Sequence, residues 1–354
     1  MIPHFYLTAF IYSRAKCYLF GPFFFLNHSI QMKKIAIVFV ALICLAITAF
    51  TIAEFPQTDI SNGVIKAKLY LPDGNDGYYR GVRFDWAGVV PSLEYKGHTY
   101  FGTWNQAPYD PKLHDAIMGP VEEFTPLNFD DAKPGEQFVK IGVGVLTKPD
   151  DKKYSFATNY AIKNPGKWSV TKGKDQVAFT HELKDETGYG YDYHKTLKLV
   201  KGKPQLVLEH TLKNTGSKPI VASTYNHNFF MIDNEPSNEN IRIVFPFEVK
   251  GEGKGFGSII NANGKMLNYS REVVKGDQVF SAGLQGFGPT AKDYDIRIEN
   301  TKTKAGVRIT CDQPLEKLVY WACPTTSCPE PYIKIAAQPG QEIKWKVTYE
   351  FYTF

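Results

Sequence analysis

The chain has 354 residues, 43% hydrophobic and 22% charged, a balance that suits a packed globular protein and excludes a disordered one. Aromatics reach 14%, with 21 Tyr and 25 Phe beside 5 Trp, and with 29 Gly and 22 Pro the mixture favours strands and turns over helix bundles. The net charge of +5 sits mostly at the front. Residues 1–53 hold Arg14, Lys16, Lys33 and Lys34 and no acid, which leaves 37 basic and 36 acidic residues beyond them, too even for a nucleic-acid binder or a polycationic membrane-surface protein.

Met32-Lys33-Lys34 precedes an uncharged apolar run through Ala53, the arrangement of a secretory signal, and Thr51-Ile52-Ala53 offers a cleavage site before Glu54. An uncleaved anchor is the competing reading, because residues 35–53 approach the roughly 20 apolar residues that span a bilayer. Leu42-Ile43 before Cys44 lacks the small residue of a lipoprotein signal. A signal begins near the start of its chain, so Met32 is the expected start and residues 1–31 a misassigned extension. The expected organisation is 1–31 extension, 32–53 signal peptide or anchor, and 54–354 one domain. The expected location is periplasmic or extracellular, with membrane contact only through the N-terminal segment if it is uncleaved.

From residue 60 onward the apolar pattern has period two. Leu206, Leu208, His210 and Leu212 share one strand face, as do Ile343, Trp345, Val347, Tyr349 and Phe351. Further strand-like runs cover 138–146, 176–183, 191–200, 241–249 and 307–311. They are separated by turn signals such as Asn164-Pro165-Gly166-Lys167 and Lys201-Gly202-Lys203-Pro204. Residues 113–124 are expected to hold at most one short helical turn. Closely spaced strands without helices between them predict a large antiparallel all-β sandwich or barrel.

Taken in chain order, His98 reads as a turn residue and Glu122-Glu123 as a solvated loop rather than a paired-carboxylate site. His181 and His210 alternate with apolar residues and read as inward, satisfied histidines; His194 reads as solvated. His227, in Tyr225-Asn226-His227-Asn228-Phe229-Phe230, mixes polar groups with aromatics as a sugar site would, and the residues alone leave it open between site and structural roles. The glycine-rich segment 251–257 fits neither dinucleotide nor P-loop spacing and reads as a turn. Cys311 reads as a buried hydrophobe. Cys323 and Cys328 are open between a disulfide and two thiols, and no zinc site is expected there. Pro329 and Pro331 hold Glu330 in one direction, although an ordinary loop acid is the plainer reading of that spacing. Trp86, Trp104 and Trp321 are candidates for stacking on a sugar, with the core as the alternative for each.

Together these residues resemble the aldose 1-epimerase, or galactose mutarotase-like, family. The resemblance rests on Asn226-His227-Asn228-Phe229-Phe230, on Gly188-Tyr189-Gly190-Tyr191 and on Ala305-Gly306 through Gln313-Pro314. Glu330-Pro331-Tyr332 and the closing Gln338-Pro339-Gly340-Gln341-Glu342 complete it, over residues 60–354. The nearest match to the family's first histidine motif, Leu113-His114-Asp115, lacks the glycines. The resemblance implies a galactose mutarotase-like β-supersandwich with a sugar site on its concave face, interconverting hexose anomers. It implies Glu330 as base and His227 as acid on opposite sides of the sugar, and His114, Arg83, Asn226 and Asp293 (or Asp295) as substrate-binding residues. No metal or organic cofactor is implied, and the ligand is a monosaccharide or oligosaccharide. The alternative is a non-catalytic carbohydrate-binding protein on the same fold. A polysaccharide lyase is disfavoured for want of room for a helical domain. A hexose-6-phosphate epimerase is disfavoured because no basic cluster in the sequence marks a phosphate site.

Overall fold

The computed structural model describes residues 55–354; the expected extension and signal, residues 1–31 and 32–53, lie outside the described residues. Long strands such as Gln176–Lys184, Gln205–Asn214 and Glu342–Thr353 alternate their side chains between core and solvent, and short ones such as Val121–Phe124 and Gly144–Thr147 are covered on both faces. In chain order the strands are β1 (Gln57–Ser61), β2 (Ile65–Tyr70), β3 (Val89–Tyr95), β4 (His98–Thr99), β5 (Val121–Phe124), β6 (Gln137–Lys140), β7 (Gly144–Thr147) and β8 (Ile162–Asn164). There follow β9 (Lys167–Lys172), β10 (Gln176–Lys184), β11 (Gly190–Leu199), β12 (Gln205–Asn214), β13 (Ile220–His227), β14 (Ile241–Val244), β15 (Ile260–Asn263) and β16 (Met266–Tyr269). The last are β17 (Val279–Ser281), β18 (Asp295–Asn300), β19 (Ala305–Cys311), β20 (Lys317–Cys323), β21 (Thr326–Ala337) and β22 (Glu342–Thr353).

Ten of these strands make one antiparallel sheet in the order β15-β16-β14-β18-β19-β22-β12-β11-β10-β9. A five-stranded sheet, β17-β20-β21-β13-β5, faces it. The two share one core. Leu206, Leu208, Leu212, Val347 and Tyr349 come from the large sheet, and Ile220, Ala222, Leu318, Tyr320, Ile333 and Ile335 from the small one. Burying one such leucine contributes about 1.5–3 kcal/mol, and a one-residue slip of β12 would turn its whole apolar set outward. Sheets β1-β2-β3-β4 and β6-β7-β8 flank this sandwich. The architecture is the large antiparallel β-sandwich expected from the period-two pattern.

Three local expectations change. Residues 111–115 form turns and bends without a helix, and 121–124 form β5 rather than a helical turn or solvated loop. Glu122 and Glu123 point to opposite faces of that strand, and both carboxyls are paired. The run at 138–146 is a hairpin, not one strand. Gly142 takes a φ of 78° there, and a Cβ on it would stand 2.7 Å from the Asp85 carboxyl, so only glycine suits the turn. The disulfide alternative for Cys323 and Cys328 is not realised. Both are free thiols; the β20–β21 register sets Cys323 opposite Thr326 and Cys328 opposite Trp321. Among the described residues no helix is long and apolar enough to cross a membrane.

Candidate active site

The face of the five-stranded sheet turned away from the large sheet carries the site, and strand register assembles it. One row across the strands is Glu123, Tyr225, Tyr332 and Lys317. Two residues along, the same register sets His227 beside Glu330, with Val319 beyond. The third row is Cys328, Trp321, Phe280 and Lys254. A cavity of about 560 Å³ lies over these rows, closed on its other side by Arg83, His114, Asp115 and Phe156. That volume falls in the range of small-molecule sites, roughly 300–1,000 Å³.

At the floor, His227 Nε2 lies 3.3 Å from Glu330 Oε1, and the two residues are 3% and 5% exposed. The expected placement on opposite sides of a ligand is therefore replaced by one side by side, because the two residues are cross-strand neighbours on the same face. Burial pushes the Glu330 carboxyl up to about 8; Arg83 and Lys317 oppose the shift, and Glu123 and Asp115 add to it. Burial, with the Arg83 charge, pushes His227 well below the usual imidazole range. The pair thus holds its proton on the carboxyl at neutral pH, with the ring neutral. His227 Nδ1 is buried and has no hydrogen-bond partner among the described residues, so nothing there fixes the tautomer.

Aromatic packing sets the imidazole plane. Phe229 stacks on His227 at 3.8 Å and 7°, and Trp104 stacks on Phe229 at 4.6 Å and 9°. Phe84 and Trp321 meet the imidazole edge-on. Phe229 reaches this position with a φ of 38°, a left-handed conformation that costs a non-glycine residue about 1–2 kcal/mol. The strain folds the Phe229 ring back beneath the imidazole two residues before it.

Arg83 is fixed by two carboxylates. Its Nε donates to Glu123 at 2.8 Å and one terminal nitrogen to Asp115 at 2.7 Å, while the other reaches the Tyr225 hydroxyl at 3.2 Å. Phe156 and Phe84 cover the guanidinium at 4.1 and 4.5 Å. Lys140 approaches Glu123 from behind at 3.4 Å, and against the opposing effect of burial Lys140 and Arg83 hold Glu123 below its usual range. His114 joins the cluster through Asp115 at 3.3 Å.

Four of the residues singled out in the sequence, His227, Glu330, Arg83 and His114, thus line one cavity. The other two stand elsewhere. Asn226 faces the core, where its amide donates to Glu122 at 2.8 Å. Asp293 ends a short 3₁₀ turn, Ala291–Asp293, and accepts from the Thr290 hydroxyl at 3.0 Å; neighbouring Asp295 is held by Arg308. Trp321 lines the cavity, whereas the Trp86 and Trp104 indoles are buried and donate to backbone carbonyls. The sequence reading missed Glu123, Tyr225, Asp115, Phe156, Lys254, Lys317 and Tyr332. For Tyr225 and Tyr332 a signal was available: each lies two residues from a singled-out residue on an alternating strand, hence on the same face.

Fold and site together define a sandwich of the galactose mutarotase-like class with a buried imidazole and carboxyl in its cavity. Solved structures with this fold include a candidate aldose 1-epimerase from Escherichia coli K12 at 14% identity, covering 84% of this chain and 100% of that one with a TM-score of 0.52. The galactose mutarotase related enzyme from Lactobacillus acidophilus is 13% identical over 84% and 97% of the two chains, with a TM-score of 0.50. A galactose mutarotase-like protein from Clostridium acetobutylicum is 15% identical over 84% and 95%, also at 0.50. No protein-family model matches the chain, and no curated protein does. At these identities the likeness is one of fold, and activity has to be argued from the side chains.

Proposed function

We propose that this protein is an aldose 1-epimerase-like isomerase, interconverting the α and β anomers of a hexose. The observation that carries the reading is the His227–Glu330 pair, buried side by side on the floor of a sugar-sized cavity. Anomer exchange moves two protons at oxygens bonded to the same carbon, the anomeric hydroxyl and the ring oxygen. An acid and a base within one sugar's width of each other can serve both, and these two lie 3.3 Å apart.

With Glu330 as base and His227 as acid, the carboxyl proton first passes to Nε2 across the 3.3 Å contact. The Arg83 and Lys317 charges favour the carboxylate so formed. Glu330 then takes the anomeric hydroxyl proton, the C1–O1 bond becomes a carbonyl, the bond from C1 to the ring oxygen breaks, and His227 gives its proton to that oxygen. Rotation about C1–C2 and the reverse steps close the ring from the other face. Proton transfer by a positioned side chain contributes typically ~10²–10⁴-fold. Arg83 and His114 are placed to hold further hydroxyls, and Trp321 and Tyr332 offer aromatic faces to the C–H groups of the sugar.

The test is polarimetry or NMR exchange on freshly dissolved α-galactose and α-glucose, with acceleration above the buffer rate as the expected result. A non-catalytic carbohydrate-binding role is the second reading. It is favoured by the pair's direct contact, which occupies both catalytic groups for as long as it persists. Sugar binding without anomer exchange would select it. We also propose that the protein is exported after loss of its leader before Glu54, which N-terminal sequencing of the secreted form would test.

A further inference from the structure

The cavity is longer than its acid–base pair requires. Its floor crosses the whole five-stranded sheet, from Glu123 on β5 to Phe280 on β17, four strand spacings or about 19 Å at ~4.8 Å each. His227 and Glu330 stand on β13 and β21, toward the β5 end, where Arg83 is held by Glu123 and Tyr225. Phe280 lies two strands beyond Glu330 and one row along, about 12 Å of backbone at ~4.8 Å per strand and ~3.3 Å per residue. A single pyranose with its anomeric carbon at the pair and its hydroxyls on Arg83 does not extend that far.

The far end is built as a surface for a ring. Phe280 is 41% exposed and faces the same way as Trp321, its cross-strand neighbour. Every other aromatic side chain lining the cavity has a partner: Phe229 and Trp321 meet His227, Tyr225 and Tyr332 stack on each other, and Phe156 lies over Arg83. Among the described residues no ring or cation meets the Phe280 ring, so an aromatic face is left open at the cavity edge. The glycine-rich segment 251–257 continues the floor past it. Lys254 pairs with Phe280 there, and a Cβ on Gly253 would collide with the Phe280 carbonyl oxygen, so glycine is what lets this turn close on the edge of β17. Lys254 Nζ donates to the Gln278 amide oxygen at 3.1 Å, and both side chains line the cavity. An aromatic face beside an ammonium group and a carboxamide suits a sugar ring, its C–H groups on the aromatic face and its hydroxyls at the polar groups.

We propose that the β17 end of the cavity is a second sugar subsite, and that the preferred substrate is a reducing disaccharide or longer chain whose second ring lies on Phe280. The first sugar must keep its anomeric hydroxyl free for Glu330. The link to the second ring therefore leaves from the other side of the first, through the hydroxyl on C4 or C6. The inference rests on the epimerase reading of the same cavity and adds the length of the substrate. Contacts to a ring remote from the reacting carbon raise kcat/KM through binding, and a tenfold rise corresponds to about 1.4 kcal/mol.

The experiment is anomer exchange by NMR on maltose, cellobiose, isomaltose and gentiobiose against glucose, and on the matching galactobioses against galactose. For at least one disaccharide a kcat/KM about tenfold or more above that of its own monosaccharide is expected. In Phe280→Ala, with unchanged circular dichroism, that ratio is expected to fall toward one. Every disaccharide exchanging no faster than its monosaccharide, or a ratio unchanged in Phe280→Ala, would overturn the second subsite while leaving the epimerase reading intact. If no sugar exchanges, saturation-transfer NMR on the same disaccharides decides. Saturation that reaches both rings, and is lost from the second ring in Phe280→Ala, supports the subsite and sinks the epimerase reading. Saturation confined to the reducing ring, or unchanged in the variant, overturns the subsite; none at all overturns both.

Discussion

Glu330 takes its chemistry from burial. A carboxyl that keeps its proton to about pH 8, beside an imidazole that stays neutral, gives a pair with one mobile proton over the neutral range. Activity is therefore expected to fall as pH rises past about 8, where the pair loses the proton it must pass to the ring oxygen; a rate that keeps climbing above that pH would contradict the scheme. His227→Ala and Glu330→Gln are each expected to lower kcat by at least about 10²-fold with circular dichroism unchanged. Either variant exchanging anomers at the wild-type rate would remove that residue from the mechanism. The same burial has a stability consequence. A carboxyl whose folded pKa is raised contributes stability that is complete below the unfolded value near 4.5 and is lost as pH rises through about 8. Glu330→Gln should therefore gain on the wild type between those limits, by on the order of a few kcal/mol at pH 9 and little at pH 4 in urea melts. At this scale the Pro-Glu-Pro setting and the Asn-His-aromatic run stood out only through the family resemblance; spacing alone read Glu330 as a loop acid, whereas it stands inside strand β21. Arg83's partners were not legible, since Glu123 and Asp115 meet it only after the chain folds back.

Strand β5 shows why an element of four residues escapes a sequence reading. Val121 and Glu123 face the cavity side, Glu122 and Phe124 face the large sheet, and three of the four are buried with Glu123 nearly so. A strand covered on both faces does not alternate between apolar and polar residues. Longer strands such as β12 and β22, with one wet face, announced themselves. Glu122 shows what β5 does for the site. Its carboxyl meets Lys195 of β11, His210 of β12 at 2.8 Å and Asn226 of β13 at 2.8 Å, so one buried acid ties three strands together behind His227. Against burial, Lys195 and His210 keep it ionised, and Lys195 also reaches Asp85 at 3.4 Å. Removing one partner of a buried charge pair leaves the other uncompensated. Lys195→Met is expected to destabilise the fold by about 3–5 kcal/mol in chemical denaturation. A loss under about 1 kcal/mol would mean that the cluster contributes no more than a surface pair does.

The molecule as a whole closes through its last strand. β22 lies between β19 and β12, so the halves of the ten-stranded sheet, β15-β16-β14-β18-β19 on one side and β12-β11-β10-β9 on the other, meet only across it within that sheet. Its inward side chains Trp345, Val347, Tyr349 and Phe351 are buried in the shared core, and Tyr349 reaches through to Asn228, the residue after His227, with a 2.8 Å hydrogen bond. The alternation of residues 343–351 made this strand the plainest in the sequence, but nothing in that alternation says the strand is central. Position in a sheet is a matter of long-range pairing, which a local pattern does not encode. A chain ending after Gly340 would lack the partner of both β12 and β19 and expose two long apolar edges. It is expected to lose cooperative thermal unfolding and to aggregate, whereas a chain ending after Tyr352, which keeps nearly all of the pairing, should melt as the full chain does. Because β22 pairs with β12, more than a hundred residues before it, and with β19, the large sheet can join its halves only once β22 is made, and folding should be slow, as it is for sheets built from distant segments. A truncation after Gly340 that still melted cooperatively would show that the two halves of the sheet hold together through the five-stranded sheet alone.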